Sequence, residues 1–274
     1  MATSTTSITE FISGPVRIAV DRIGEGPLLV MLHGIGGNRT NWRDQLPAFA
    51  EHFTTVAWDA RGYGLSDDYG GDLDFRDFAQ DLDRVLDHYG AQKAHLLGLS
   101  MGGRIIQDFY EMCPDRVATL TLCDTRSGDF HQSPEARAEF VRLRKEPLLA
   151  GKTPAEMAPP VAESLIGPTS SREAFQRLVD SMAALHTESY IKAIEASGLQ
   201  PQTLDISTIT VPTLIVCGEY DRLTPPEVSA EMHRKIPGSE YVIIEDAGHL
   251  TNIENPSRFN EVVMNFLLRH RDLA

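Results

Sequence analysis

Ser100 lies in the run Gly98-Leu99-Ser100-Met101-Gly102-Gly103. A serine flanked by glycines two residues before and two after is weak evidence alone, because Gly and Ser are common. Its setting strengthens it. An apolar strand-like run (AHLLGL, 94–99) ends at the turn, and a helical pattern (101–112) begins there. A strand–turn–helix of this kind forces a tight, strained turn, holds Ser Oγ clear of the backbone, and aims a helix N-terminus at any negative charge developing beside it.

A serine hydroxyl attacks a carbonyl only when a base accepts its proton, and an acid must orient that base. Of nine histidines, His249 is the best placed. It follows the strand-like YVIIE in the loop Asp246-Ala247-Gly248-His249. Asp221 follows the strand-like TLIVC in Gly218-Glu219-Tyr220-Asp221. Both would then emerge from C-terminal strand ends, where open α/β sheets gather their ligands. Asp124, after the strand ending at Cys123, is the rival acid, and Asp246 a weaker one. Asp59 suits a structural turn ahead of Arg61-Gly62-Tyr63-Gly64. His131 and His186 fall in a helical region that could reach a substrate; His88, His233 and His270 fall on helix patterns as surface groups. Acyl transfer also needs oxyanion donors. The expected pair is the backbone N–H of Met101 and that of Ile35, in His33-Gly34-Ile35-Gly36-Gly37.

Positioning these groups takes alternating strands and helices. Strand patterns fall at 16–21, 28–32, 53–58, 94–99, 117–123, 213–217 and 240–245. Helix patterns fall at 75–89, 101–112, 226–235 and 256–269. Asp74 suits the N-cap of the first helix and Gly90 its C-terminal stop. Continuous apolar strands separated by helices imply a parallel sheet with helices on both faces. From Asp124 to Thr210 no strand pattern occurs. Helices opening at Ser133-Pro134 and spanning 153–165, 171–185 and 188–197 suggest a helical cap instead. The expected organisation is core 1–124, cap 125–204 and core 205–274. Arg126 lies at the junction, where it could meet a substrate carboxylate; Trp42 and Leu250 are candidates for an apolar substrate wall.

The motifs HGIGG, DARGYGLS, GLSMGG, GEYDRLTP and DAGH, in this order, resemble those of α/β-hydrolase-fold proteins over essentially the whole chain. Within that superfamily the segments LCDT, HTESYIKAIEASGL and DAGHLTNIENPSRFN most resemble 3-oxoadipate enol-lactonases and related carboxylesterases. The resemblance implies an α/β-hydrolase fold, the chain order Ser100, Asp221, His249, and a small ester or lactone substrate. Haloalkane dehalogenases and epoxide hydrolases of this fold carry aspartate where Ser100 stands. Carbon–carbon hydrolases of ring-cleavage products usually have an aromatic residue after the histidine, where Leu250 stands. That activity, and a non-enzymatic small-molecule receptor, are the alternatives.

Composition narrows the field further. The chain has 274 residues, is 42% hydrophobic, and holds 25 basic against 39 acidic residues for a net charge of −14. That charge disfavours nucleic acid and anionic membrane surfaces. The basic cluster Arg142, Arg144, Lys145 reads as a solvated helix face. Three cysteines make no disulfide framework; Cys123 and Cys217 end apolar runs and should be buried. The N-terminal MATSTTSITEF lacks a leader pattern, so a cytoplasmic, soluble protein is expected. No cofactor or metal is expected: Gly151-Lys152-Thr153 lacks the first P-loop glycine (Glu146 stands there), the two Gly-x-Gly pairs lack a third glycine (Arg39 and Asp67 stand there), and no paired Cys/His spacing occurs. The oligomeric state is open, with a homo-oligomer compatible.

Overall fold

A computed structural model describes residues 6–128 and 133–274. In chain order the elements are β1 (Ile8–Ile12), β2 (Ile18–Ile23), β3 (Leu28–Leu32), α1 (Gln45–Phe49), β4 (Thr54–Trp58), α2 (Arg76–His88), β5 (Ala94–Leu99), α3 (Met101–Met112) and β6 (Val117–Cys123). There follow α4 (Pro134–Leu149), α5 (Pro154–Leu165), α6 (Arg172–Ala183), α7 (Thr187–Leu199), β7 (Thr213–Gly218), α8 (Pro226–Lys235), β8 (Glu240–Ile244), α9 (Thr251–Glu254) and α10 (Pro256–Arg269).

The apolar runs LLVML, AHLLGL, VATLTLC and TLIVCG become β3, β5, β6 and β7, every residue of them buried. Strands buried on both faces belong in the middle of a covered sheet. The eight strands run in the order β1-β2-β4-β3-β5-β6-β7-β8. β2 is antiparallel to both neighbours and the other pairs are parallel. The chain steps from β3 outward to β4, then reverses across β3 to β5. Because such crossovers are right-handed, that reversal puts α1 on one face and α2, α3 and α8 on the other. Packing agrees: α2 lies against α3, and α10, after the last strand, lies against α1. The reversal opens a crevice outside the C-terminal ends of β3 and β5, the usual ligand position in such sheets.

Between the paired strands β6 and β7, α4 packs on α7 and α5 on α6. Among the described residues no helix is long and apolar enough to cross a membrane. Four expectations change. The strand expected at 16–21 spans Ile18–Ile23, because Val20 to Ile23 pair with β4 while Arg17 turns to Asp67. β1 lacked an apolar signature, since four of its five residues are not fully buried. Phe75, not Asp74, is the N-cap of α2, and Asp74 instead accepts a hydrogen bond from Arg76 N at 3.0 Å. Arg144, read as part of a solvated face, is turned inward, as described below.

Candidate active site

Ser100 follows β5 directly and has φ +54°, ψ −112°, a strained region for a residue with a Cβ. The glycines explain how the turn closes. A Cβ at Gly98 would stand 2.3 Å from Gly102 O, and one at Gly102 would stand 2.2 Å from Leu32 O. The turn is pinned by Ser100 N donating to Cys123 O (2.9 Å) and Thr125 Oγ1 donating to Ser100 O (2.8 Å).

His249 Nε2 lies 3.0 Å from Ser100 Oγ, and His249 Nδ1 lies 2.8 Å from Asp221 Oδ2. Both side chains are buried. Asp221 also accepts from Leu223 N (2.8 Å), Thr224 N (3.0 Å) and Thr224 Oγ1 (2.7 Å). Burial alone would raise its pKa, but His249 and these donors hold it below the ordinary carboxylate value. Burial would likewise lower His249; the charge and hydrogen bond of Asp221 outweigh it and raise the imidazole above its ordinary value. The arrangement can therefore take a proton from Ser100 and hold the resulting imidazolium.

Asp124 is also buried here, with φ +44°. Its carboxylate faces away from the imidazole hydrogen bonds: it accepts from Gly218 N (2.9 Å), Thr251 Oγ1 (2.7 Å) and Thr251 N (3.2 Å). Burial, then the charge of Asp221, raise its pKa well above the carboxylate range. Asp246 is exposed and does not reach His249, and Asp59 caps the 61–65 turn by accepting from Leu65 N (2.8 Å) and Arg39 N (2.7 Å).

The turn after β3 closes by Gly37 N donating to Gly34 O (2.9 Å), leaving Ile35 at its crest. Buried His33 staples it: Nδ1 donates to Gly34 O (2.8 Å) while Nε2 accepts from Ala60 N (3.1 Å). Ile35 and Met101 both line the space at Ser100, and among the described residues neither N–H makes a loop or cap hydrogen bond. Met101 is the first residue of α3, so its N–H has no partner within the helix. Trp42 and Leu250 wall the apolar side of that space, and Arg126 lines its other side. His186 pairs with Asp68 at 2.9 Å, away from both walls, and His131 lies outside the described residues.

Residues 27–256 match the model of the alpha/beta hydrolase fold family. The chain belongs to the α/β-hydrolase family. A 2-hydroxy-6-oxononadienedioate/2-hydroxy-6-oxononatrienedioate hydrolase of Klebsiella pneumoniae subsp. pneumoniae is 30% identical to this α/β-hydrolase, covering 93% of this chain and 92% of that protein. A thermophilic esterase from Thermogutta terrifontis, solved with malate bound, superposes with TM-score 0.87 at 28% identity, covering 97% of this chain and 99% of that one. An enol-lactonase from Burkholderia xenovorans has the same fold, with TM-score 0.83 at 24% identity over 94% and 100% of the two chains.

Two contributors to the site of this α/β-hydrolase are absent from the sequence reading. Glu254 holds the His249 loop: its carboxylate accepts from Gly248 N and Leu250 N (2.9 Å each) and from Gly167 N of the α5–α6 connection (2.7 Å). The spacing from His249 to Glu254 is a faint signal, because only the fold of α9 turns the carboxylate back. Arg144 borders the apolar wall beside Tyr190, with its guanidinium 3.8 Å over the Phe140 ring. Arg142 and Lys145 do pair with acids, Arg142 with Glu139 and Glu146 and Lys145 with Glu195. Arg144, four residues after Phe140 in α4, shares its inward face.

Proposed function

We propose that this α/β-hydrolase is a serine hydrolase that cleaves a small carboxylic ester or lactone without a cofactor. The observation that carries the reading is the continuous hydrogen-bond line Ser100 Oγ, His249, Asp221, at 3.0 and 2.8 Å. His249 Nε2 takes the Ser100 proton as Oγ bonds to the carbonyl carbon. The carbonyl oxygen becomes an oxyanion held by the N–H groups of Ile35 and Met101. Collapse of the intermediate breaks the ester C–O bond, and His249 returns its proton to the leaving oxygen. Water, deprotonated by His249, then attacks the acyl-serine; the acid leaves and Ser100 recovers its proton. The helices between β6 and β7 roof this reaction: Val161, Leu165, Leu178 and Met182 complete the apolar wall opposite Trp42 and Leu250.

Carbon–carbon bond hydrolysis is the second reading, favoured by the 30% identical Klebsiella hydrolase. The dioate in that protein's name and the malate bound to the Thermogutta esterase are both dicarboxylates. The test is steady-state turnover of p-nitrophenyl acetate and butyrate, simple lactones, an enol-lactone and a ring-cleavage dienoate, with Ser100→Ala as the blank. Multiple turnovers on esters or lactones, falling about 10⁴-fold or more in Ser100→Ala, are expected. Turnover of the dienoate alone would replace this reading with the second. A folded protein turning over nothing on the panel would favour a receptor.

A further inference from the structure

Two cavities meet at Ser100, Ile35, Phe140 and Leu223, and their chemistry differs. One is the apolar space beneath α5 and α6. The other, about 180 Å³, extends from Ser100 between the end of β6, α4 and the end of α7. Among the described residues its wall holds Arg104, Arg126 and Arg137 and no aspartate or glutamate. In a chain of net charge −14 that is a marked local reversal. Some arginines elsewhere are held by two acids each: Arg61 by Asp77 and Asp81, and Arg116 by Asp83 and Asp87.

Arg104 is committed to the fold: its Nε lies 3.6 Å from Asp108 Oδ2, behind the cavity wall. It donates to Ser197 O (2.8 Å), Pro201 O (3.1 Å) and Gln200 O (3.2 Å), and stacks 3.8 Å over Phe75, so it holds the end of α7. Arg126 and Arg137 have no such work: among the described residues neither side chain makes a hydrogen bond or ion pair. Burial and then the nearby charge of Arg137 depress the Arg126 pKa. Burial depresses Arg104 to about 10, and Arg126 contributes to that shift. Arg126 is thus opposed by a like charge on either side, and an anion beside it would relieve the repulsion. Among the described residues Gln202 Nε2, in the same wall, is a buried donor without an acceptor.

We infer that this cavity is a carboxylate subsite: the substrate keeps one free carboxylate, bound by Arg126 with Arg137 as second donor, across Ser100 from the apolar cavity. The guanidinium fork matches a carboxylate in two parallel hydrogen bonds. The substrate class is therefore an ester with one free acid group. The inference rests on the serine-hydrolase reading and deepens it.

The experiment measures matched ester pairs that differ by the free acid: mono-p-nitrophenyl glutarate against p-nitrophenyl valerate, and 4-acetoxybenzoate against phenyl acetate. The pairs place the carboxylate on the acyl and leaving sides respectively. In at least one pair Arg126→Gln should lower the acid-to-neutral ratio of kcat/KM by roughly 10- to 100-fold, through KM. Arg126→Lys should recover part of it, and Arg142→Gln, on the solvent side of α4, should leave the ratio unmoved. An unchanged ratio in Arg126→Gln, with thermal unfolding intact, overturns the subsite; so does a ratio that falls in Arg144→Gln instead. If no ester shows Ser100-dependent turnover, the serine-hydrolase reading fails separately. The subsite is then read by titrating glutarate into Ser100→Ala with and without Arg126→Gln: Arg126-dependent binding supports it, and no binding overturns it.

Discussion

His249 answers to two buried carboxylates of unequal standing. Asp221 bonds its Nδ1 directly, while Asp124 acts on it only through space and spends its oxygens on Gly218 and Thr251. Asp221→Asn should therefore lower kcat by about 10⁴-fold, since the imidazole loses its orienting partner. Asp124→Asn should cost far less. A base must be neutral, and the folded His249 pKa is raised above 6.5. The acid limb of kcat/KM should accordingly have its midpoint above pH 6.5, with activity falling as pH drops through it. Asp124→Asn removes a negative charge that favours the imidazolium, so its limb should move to lower pH. pH–rate profiles of the wild type and Asp124→Asn check both statements. A larger kcat loss for Asp124→Asn than for Asp221→Asn would exchange the two roles.

At the scale of elements, the elbow between β5 and α3 leaves no room for a side chain two residues before or two residues after Ser100. Gly102→Ala would drive a methyl to 2.2 Å from Leu32 O, which is backbone and cannot swing aside. A loss of about 1–3 kcal/mol or more is expected in urea unfolding, with reduced turnover because the Ser100 Oγ moves. Wild-type stability in that variant would mean that β3 and the elbow have more slack than their contact implies. This turn was legible beforehand because its constraint is local: glycines at fixed spacing between an apolar strand and a helix. The order Ser100, Asp221, His249 was legible because each residue follows a strand pattern, fully buried in β5 and β7 and ending on buried Ile244 in β8. Arg144 and Glu254 were not, for one physical reason. Each acts from a helix whose rotation about its axis is set by tertiary packing, on α7, which carries Tyr190, for one and on the Gly167 turn for the other. β1 escaped because an edge strand exposed along most of its length needs no apolar run.

For the molecule as a whole, part of the acid sensitivity should originate far from Ser100. His95, at the start of β5, is fully buried against Thr119 Oγ1 (2.9 Å) and Arg271 O (3.3 Å). Burial lowers its pKa to about 4. Between that value and the unfolded value near 6.5, only the unfolded chain takes up the proton. Its contribution is thus fully present above about pH 6.5 and is lost as pH falls toward 4, by up to about 3 kcal/mol. His95→Gln should flatten the decline in unfolding midpoint between pH 7 and 4.5, and an equal decline in both proteins would show that other groups set it. The connection between β6 and β7 has a different consequence. Because Cys123 and Val216 are paired neighbours, the chain leaves the sheet and returns to it one strand away, about 5 Å apart. All of α4–α7 therefore leaves and rejoins the sheet through a single narrow gap, and besides that gap it meets the His249 loop, where His249 N donates to Leu165 O (2.9 Å) and Gly167 N to Glu254 (2.7 Å). A lineage of this architecture that exchanged these helices as one module would keep the sheet but would have to remake the two hydrogen bonds that seat the His249 loop.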